Sequence, residues 1–268
     1  MRAVVQGVLA LVVVSMAVFG GTAGVDPTAV SLPIGKAVES IAPAQGAVVG
    51  VGHPVVVTFA RPVANRTAAE RSLAVKSDPA RTGKYEWLES NVVQWVPDQY
   101  WPAHSTVSLS VSNRPTQFQT GPAVVGVADI SDHTFTVTID GVAEGAPIPL
   151  PAPHHLPHLG EDGVLLASMG RPEYPTPVGN YTVLEKDRSV IMDSSSVGVP
   201  VDADDGYRLE VDYAVRITRR GIYVHSAPWA VASMGLENTS HGCISLIPAA
   251  AEWYFNTVNV GDPVIVQE

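Results

Sequence analysis

A single cysteine stands in the 268-residue chain, only 16% of its residues are charged, and 26 Asp+Glu outnumber 16 Lys+Arg. One thiol forms no internal disulfide and cannot supply a four-cysteine zinc finger, so both of those small-domain solutions are excluded. A formal net charge of −10 argues against a nucleic-acid binder, whose phosphate contacts need a basic face. The scarcity of charge is not the signature of disorder, because 46% of the residues are hydrophobic and can bury a core. Proline and glycine are plentiful, at 22 and 23. With abundant Val and Thr they favour short strands joined by turns over a helical bundle. The length suits one large or two medium domains.

The chain opens with Arg2, an almost wholly apolar run from Ala3 to Phe19, and small residues from Gly20 to Gly24. This is the layout of a secretory signal, and residues 1–24 are read as signal peptide or membrane anchor. The run of 17 residues also meets the lower limit of about 17–25 for a membrane-crossing helix. Either way the rest is expected outside the cytoplasm, in the periplasm or cell wall, secreted or anchored to the outer face of the plasma membrane. Membrane contact is expected only through residues 1–24, if uncleaved. An unpaired thiol in such a compartment is a candidate for reactivity.

Residues 25–40 read as a linker with Pro27, Pro33 and Gly35. From 41 to 120, strand-like runs at Val55–Phe59, Leu73–Val75, Tyr85–Trp87, Val92–Val96 and Val107–Val111 recur at β-sandwich spacing. Trp87 and Trp95 are candidate ligand platforms, though core packing is the preferred reading. Residues 121–268 form the second half, with strands at Thr134–Ile139, Tyr181–Leu184, Val190–Met192, Val215–Thr218, Ile222–His225 and Pro263–Val266. A single late helix starts at Pro248. Between them the proline-rich stretch 145–160 reads as an exposed loop. Its His154, His155 and His158 invite a metal reading, but they have no preformed geometry. The fold expectation is therefore mainly β, a sandwich followed by a second mainly-β domain.

One constellation carries chemistry: Tyr223-Val224-His225-Ser226-Ala227-Pro228-Trp229, then Asn238-Thr239-Ser240-His241-Gly242-Cys243-Ile244-Ser245. A thiol is a strong nucleophile as thiolate, and a neighbouring imidazole lowers its pKa through a thiolate–imidazolium pair. His225, at the end of an apolar strand, and His241, two positions from Cys243, are both candidates. Gly242 permits unusual backbone angles and exposes amides that can hold an oxyanion. Two rival readings exist: a buried, inert cysteine, and a zinc site built from His225, His241 and Cys243 without the usual paired-cysteine spacing.

Ser240-His241-Gly242-Cys243, with His225 eighteen positions upstream of the cysteine, resembles the signature of L,D-transpeptidases with a YkuD-type catalytic domain. Further likeness lies in Arg171–Gly179, Ile191–Ser195 and Gly206–Arg208. It points to the short mycobacterial and actinobacterial type, in which one immunoglobulin-like domain (here 41–120) precedes the catalytic domain (here 121–268). The resemblance implies that Cys243 attacks the carbonyl between the third residue of a peptidoglycan tetrapeptide stem and its terminal D-Ala. That third residue would be meso-diaminopimelate. It further implies His225 as general base and acid, the Ser226 carbonyl as its orienting partner, and the Gly242 amide as an oxyanion donor. A neighbouring stem amine would then resolve the thioester into a 3→3 cross-link, and carbapenem-type inhibitors would acylate the same sulfur. No cofactor and no metal are implied, and a monomer is expected.

By the same resemblance Met192, Tyr207, Gly221, Trp229, Thr239, Ser240 and His241 line the substrate site. Two departures from the pattern matter. Ser245 replaces the usual Asn, which shortens a hydrogen-bonding reach. Arg219-Arg220 stands where relatives carry Ser before Gly221, so Arg220 is either a carboxylate partner or a solvated turn charge. Water as acceptor would make the protein an L,D-carboxypeptidase, and loss of catalysis would leave a cell-wall-binding protein.

Overall fold

The computed structural model describes residues 37–146 and 156–268. The signal-like segment 1–24 and the histidines His154 and His155 lie outside the described residues. Among those described, no helix is long and apolar enough to cross a membrane.

The first half is a sandwich of two four-stranded sheets. One sheet has the order β1 (Val38–Ala42), β3 (Val55–Phe59), β6 (Val92–Pro97), β5 (Gly83–Trp87). The other runs β2 (Val48–Val49), β8 (Arg114–Thr120), β7 (Thr106–Val111), β4 (Lys76–Asp78). Alternation in β7 buries Val107, Leu109 and Val111, because successive side chains on a strand point to opposite faces. Trp95 lies in this core with Trp101, 6.1 Å away. Trp87 stacks on Phe59 at 5.9 Å and donates its indole N–H to Glu70, so both tryptophans serve packing.

Two expectations are corrected here. Leu73, read as the start of a strand, instead ends a helix, α1 (Arg66–Leu73). Asn65 caps it by accepting the Ala68 N–H, and Ala69 and Leu73 are its buried anchors. The linker reading of 25–40 also runs too far, since Val38 and Ser40 already pair with β3.

The second half is built on a ten-stranded sheet. Its order is β13 (Gly179–Thr182), β18 (Pro263–Gln267), β9 (Val124–Asp129), β10 (Thr134–Ile139), β12 (Val164–Ser168), β17 (Ile244–Leu246), β16 (Tyr223–Ser226), β15 (Arg208–Arg216), β14 (Glu185–Asp193). A short β11 (Val142–Ala143) closes a hairpin on β10 through Asp140-Gly141, both at positive φ, as a two-residue hairpin turn requires. The helix α2 (Pro248–Thr257) packs on β15 and β16 and sets Tyr254 edge-on to Phe135 at 4.9 Å. That burial braces the sheet beside β16 and β17.

The two halves meet through backbone. Gly50 N–H donates to the Val260 carbonyl (2.8 Å), Gly52 N–H to that of Gly261 (2.9 Å), and Val51 N–H to Asp262 Oδ1 (3.2 Å). A side chain at Gly50 would collide with the Asp262 amide, so glycine is required for this close approach. Asp262 is fully buried at this joint, and burial pushes its carboxyl up to about 6.

Candidate active site

Strands β16 and β17 are parallel neighbours, with His225 beside Ser245 and Val224 beside Ile244. Cys243 immediately precedes β17, level with Tyr223. Because side chains alternate along a strand, Tyr223, His225, Cys243 and Ser245 project to one face. His225 and Cys243 therefore line a common cavity of about 380 Å³ with Met192, Tyr207, Trp229, Thr239, Ser240, His241 and Ser245. A second opening of about 360 Å³ reaches Cys243 from another side. It is lined by Met192, Asp193, Tyr207, Arg216, Arg219, Arg220, Gly221 and His241.

His225 is almost fully buried. Its Nδ1–H donates to the Ser226 carbonyl at 2.8 Å, which leaves the Nε2 lone pair as the acceptor. Trp229 lies stacked 6.1 Å from the ring while remaining 54% exposed, forming a cover between base and solvent. Cys243 is partly exposed, and its Sγ contacts the Gly221 carbonyl at 3.8 Å.

Burial pushes the Cys243 thiol up to about 11, against the backbone of Tyr223, which works the other way. Burial also pushes His225 down to about 4, opposed by the Ser226 carbonyl. Both shifts run against the thiolate–imidazolium pair expected from sequence. Desolvation penalises both charged forms, that of His225 in a nearly closed position and that of Cys243 in a partly exposed one.

The turn that presents Cys243 is locked from within. Ser240 Oγ donates to the Cys243 carbonyl (2.7 Å) and accepts the Gly242 N–H (3.0 Å). The Gly242 amide, expected from the family resemblance to hold an oxyanion, is thus paired with the Ser240 hydroxyl in the absence of substrate. That pairing gives Ser240 a structural task alongside its place in the cavity wall. Gly242 itself has φ +112, and a Cβ there would press on Ile222 Cδ1 at 3.0 Å, so its glycine identity is a backbone requirement.

Sequence reasoning passed over the supports of this turn. Thr176, fully buried, donates to the Gly242 carbonyl (2.9 Å) and accepts the Gly170 N–H (2.8 Å). Ser168 Oγ donates to the Glu237 carbonyl and accepts the Thr239 N–H. Asn238 Oδ1 accepts the Met169 N–H, and its amide donates to the Ile130 carbonyl. Thr176 and Asn238 both fall inside the motif stretches, but a local motif does not reveal which distant backbone a buried side chain will satisfy.

The other predicted residues assemble around the sulfur. Met192, Tyr207 and His241 stand between the two openings. Gly221 and the exposed Arg220 border the second alone. Burial, followed by the nearby Cys243, raises the Tyr207 phenol, which keeps it protonated. Among the described residues no group of three or more His, Cys, Asp or Glu is placed to hold a metal ion, and His158 bonds instead to Glu161.

Comparison with known proteins agrees with this architecture. Residues 30–115 match the bacterial Ig domain family, and residues 124–266 match the L,D-transpeptidase catalytic domain family, YkuD. The chain is 66% identical to probable L,D-transpeptidase 3 of Mycobacterium tuberculosis over the full length of both proteins. It is 49% identical to L,D-transpeptidase 1 of the same organism, over 85% of this chain and 84% of that one. A crystal structure of M. tuberculosis L,D-transpeptidase 3 in complex with a faropenem-derived adduct superimposes with a TM-score of 0.83 at 70% identity, covering 88% of this chain and 100% of that one. With its immunoglobulin-like domain, its YkuD-type catalytic domain and one cleft holding both cysteine and histidine, the chain belongs to the L,D-transpeptidases, the transferases of peptidoglycan cross-linking.

Proposed function

We propose that Cys243 is the nucleophile and His225 the general base and acid of a 3→3 cross-linking reaction. The observation that carries this reading is the shared face of β16 and β17. It sets the free Nε2 of His225 and the thiol of Cys243 into one cavity, with the Ser226 carbonyl fixing the tautomer. Sγ attacks the carbonyl that follows the third stem residue as Nε2 takes the thiol proton. The C–N bond to D-Ala then breaks as that proton passes to the leaving amine, and a thioester remains. An acceptor stem amine gives its proton to His225, attacks the thioester and releases the thiol.

A neutral resting pair suits a buried site, because charge appears only as the reaction draws the proton across. With the Gly242 amide engaged, the adjacent Cys243 N–H is the backbone donor next in line for the oxyanion. Met192, Tyr207, Trp229, Thr239, His241 and Ser245 shape the main cavity around the stem. Arg220 and Gly221 border the second opening, where a guanidinium meets the carboxylates that stems carry. The same geometry supports acylation by carbapenem-type inhibitors, whose carbonyl would reach the sulfur as the scissile one does. The substrate lies outside the cytoplasm, so the protein is exported through its first 24 residues.

Intact-protein mass spectrometry after carbapenem exposure tests the assignment. An adduct on the wild type that is absent from Cys243→Ala is expected. A folded wild type that stays unmodified would refute it. Incubation with disaccharide-tetrapeptide should then yield a cross-linked dimer, whereas release of D-Ala alone would identify an L,D-carboxypeptidase.

A further inference from the structure

Arg171 bridges several groups around the site, and no catalytic step above uses it. Its Nη2 lies 2.8 Å from Asp205 Oδ2 and 3.3 Å from His241 Nε2. Its guanidinium sits 4.9 Å over the Tyr174 ring, and its backbone N–H donates to the Ser240 carbonyl at 3.0 Å. Glu173 is a looser neighbour at 3.5 Å. His241 is packed between Tyr174 at 4.7 Å and Tyr207 at 5.1 Å, and it lines both openings to Cys243.

We propose that Arg171 is a positioning residue of the reaction, tying the loop that carries Asp205 and Tyr207 to the cysteine turn and fixing the ring of His241 beside Cys243. The inference rests on the assignment of Cys243 and His225 made above. A guanidinium can only donate, so His241 Nε2 must accept, and the proton of the neutral ring is confined to Nδ1. His241 is then a fixed neutral wall and not a second acid beside the sulfur, which leaves proton traffic to His225. The charges around the ring agree in direction. Burial lowers the His241 pKa first and Arg171 lowers it further, while Asp205 raises it. Its other polar neighbours are Tyr174 and Tyr207; Glu173 reaches Arg171, and Asp193, Arg216, Arg219 and Arg220 line the same second opening. The loop is tight beside Asp205, since a side chain at the adjacent Gly206 would collide with the Val201 carbonyl.

The test is a pair of opposed substitutions in the full chain, read by imidazole NMR titration of His241 and by the carbapenem acylation rate. Arg171→Gln removes the cation and should raise the His241 pKa. Asp205→Asn removes the anion and should lower it. Both loosen the loop, so acylation should slow in each by about 10-fold or more, within the range for a misplaced neighbouring group. Arg171→Lys should keep the His241 pKa low without restoring the rate, because a single ammonium does not fork to both partners. Shifts in the same direction, or opposed shifts with unchanged acylation, would overturn the proposal. Should the wild type form no adduct at all, the Cys243 assignment fails, while the His241 titrations still read the Arg171 contact.

Discussion

Replacing His225 by Gln keeps the cavity filled while removing the base, and the two displaced pKa values set the size of the effect. With the thiol pushed up to about 11, the thiolate fraction at pH 7 is about 10⁻⁴ without assistance. If the imidazole accepts the proton during attack, the wild type escapes that penalty. Loss of the base should then slow acylation by about 10³–10⁴-fold at pH 7, at the upper end of the range for general-base removal. The pH profiles separate the two enzymes further. His225, pushed down to about 4, stays a neutral base through the neutral range, so wild-type kcat/KM should be flat there and fall only as pH drops through about 4. The variant should gain about tenfold per pH unit as the thiol ionises, up to its own pKa. The assay is the second-order rate of carbapenem acylation, followed by mass from pH 5 to 10. A wild-type acid limb at the ordinary histidine value of 6.5, or a pH-independent variant, would refute the reasoning.

Two further outcomes follow from the backbone and the joint. Gly242→Ala places a side chain at φ +112 against Ile222 and should cost about 1–3 kcal/mol of stability, with acylation falling further than stability because the Cys243 turn shifts; unchanged denaturation and acylation would contradict the backbone argument. Asp262 has its carboxyl raised from 3.8 to about 6, so the folded chain binds that proton more tightly than the unfolded one. Its contribution, about 3 kcal/mol by linkage, is fully present below about pH 4 and is lost as pH rises through about 6. Denaturant midpoints should therefore show a steeper decline with pH for the wild type than for Asp262→Asn between those limits, and parallel curves would count against the buried carboxyl.

Much of the fold is visible in local pattern. Strand β3 spans Val55–Phe59 and β10 spans Thr134–Ile139, as their β-branched runs indicate, and Pro248 opens the late helix. The helix Arg66–Leu73 escaped because its polar face leaves only Ala69 and Leu73 to anchor it; the signal that would have found it is Asn65, a capping residue three positions before the amide it binds. At the site, the positions of Cys243, His225 and Gly242 are legible as a motif, and the Ser226 carbonyl enters only through the family resemblance.

The sequence alone singled out one unpaired thiol, two histidines and a glycine turn as the candidates for the chemistry, because residue type and spacing are local properties. The family resemblance already pointed to His225, and only the tertiary structure showed how each histidine is held. It paired β16 with β17, placed both imidazoles in the cavity, and left the free nitrogen lone pair on His225 while Arg171 occupied that of His241. It also set the direction in which burial shifts each group and the pairing of the Gly242 amide. Both depend on which distant groups exclude water from a site, and chain order does not encode that separation in space.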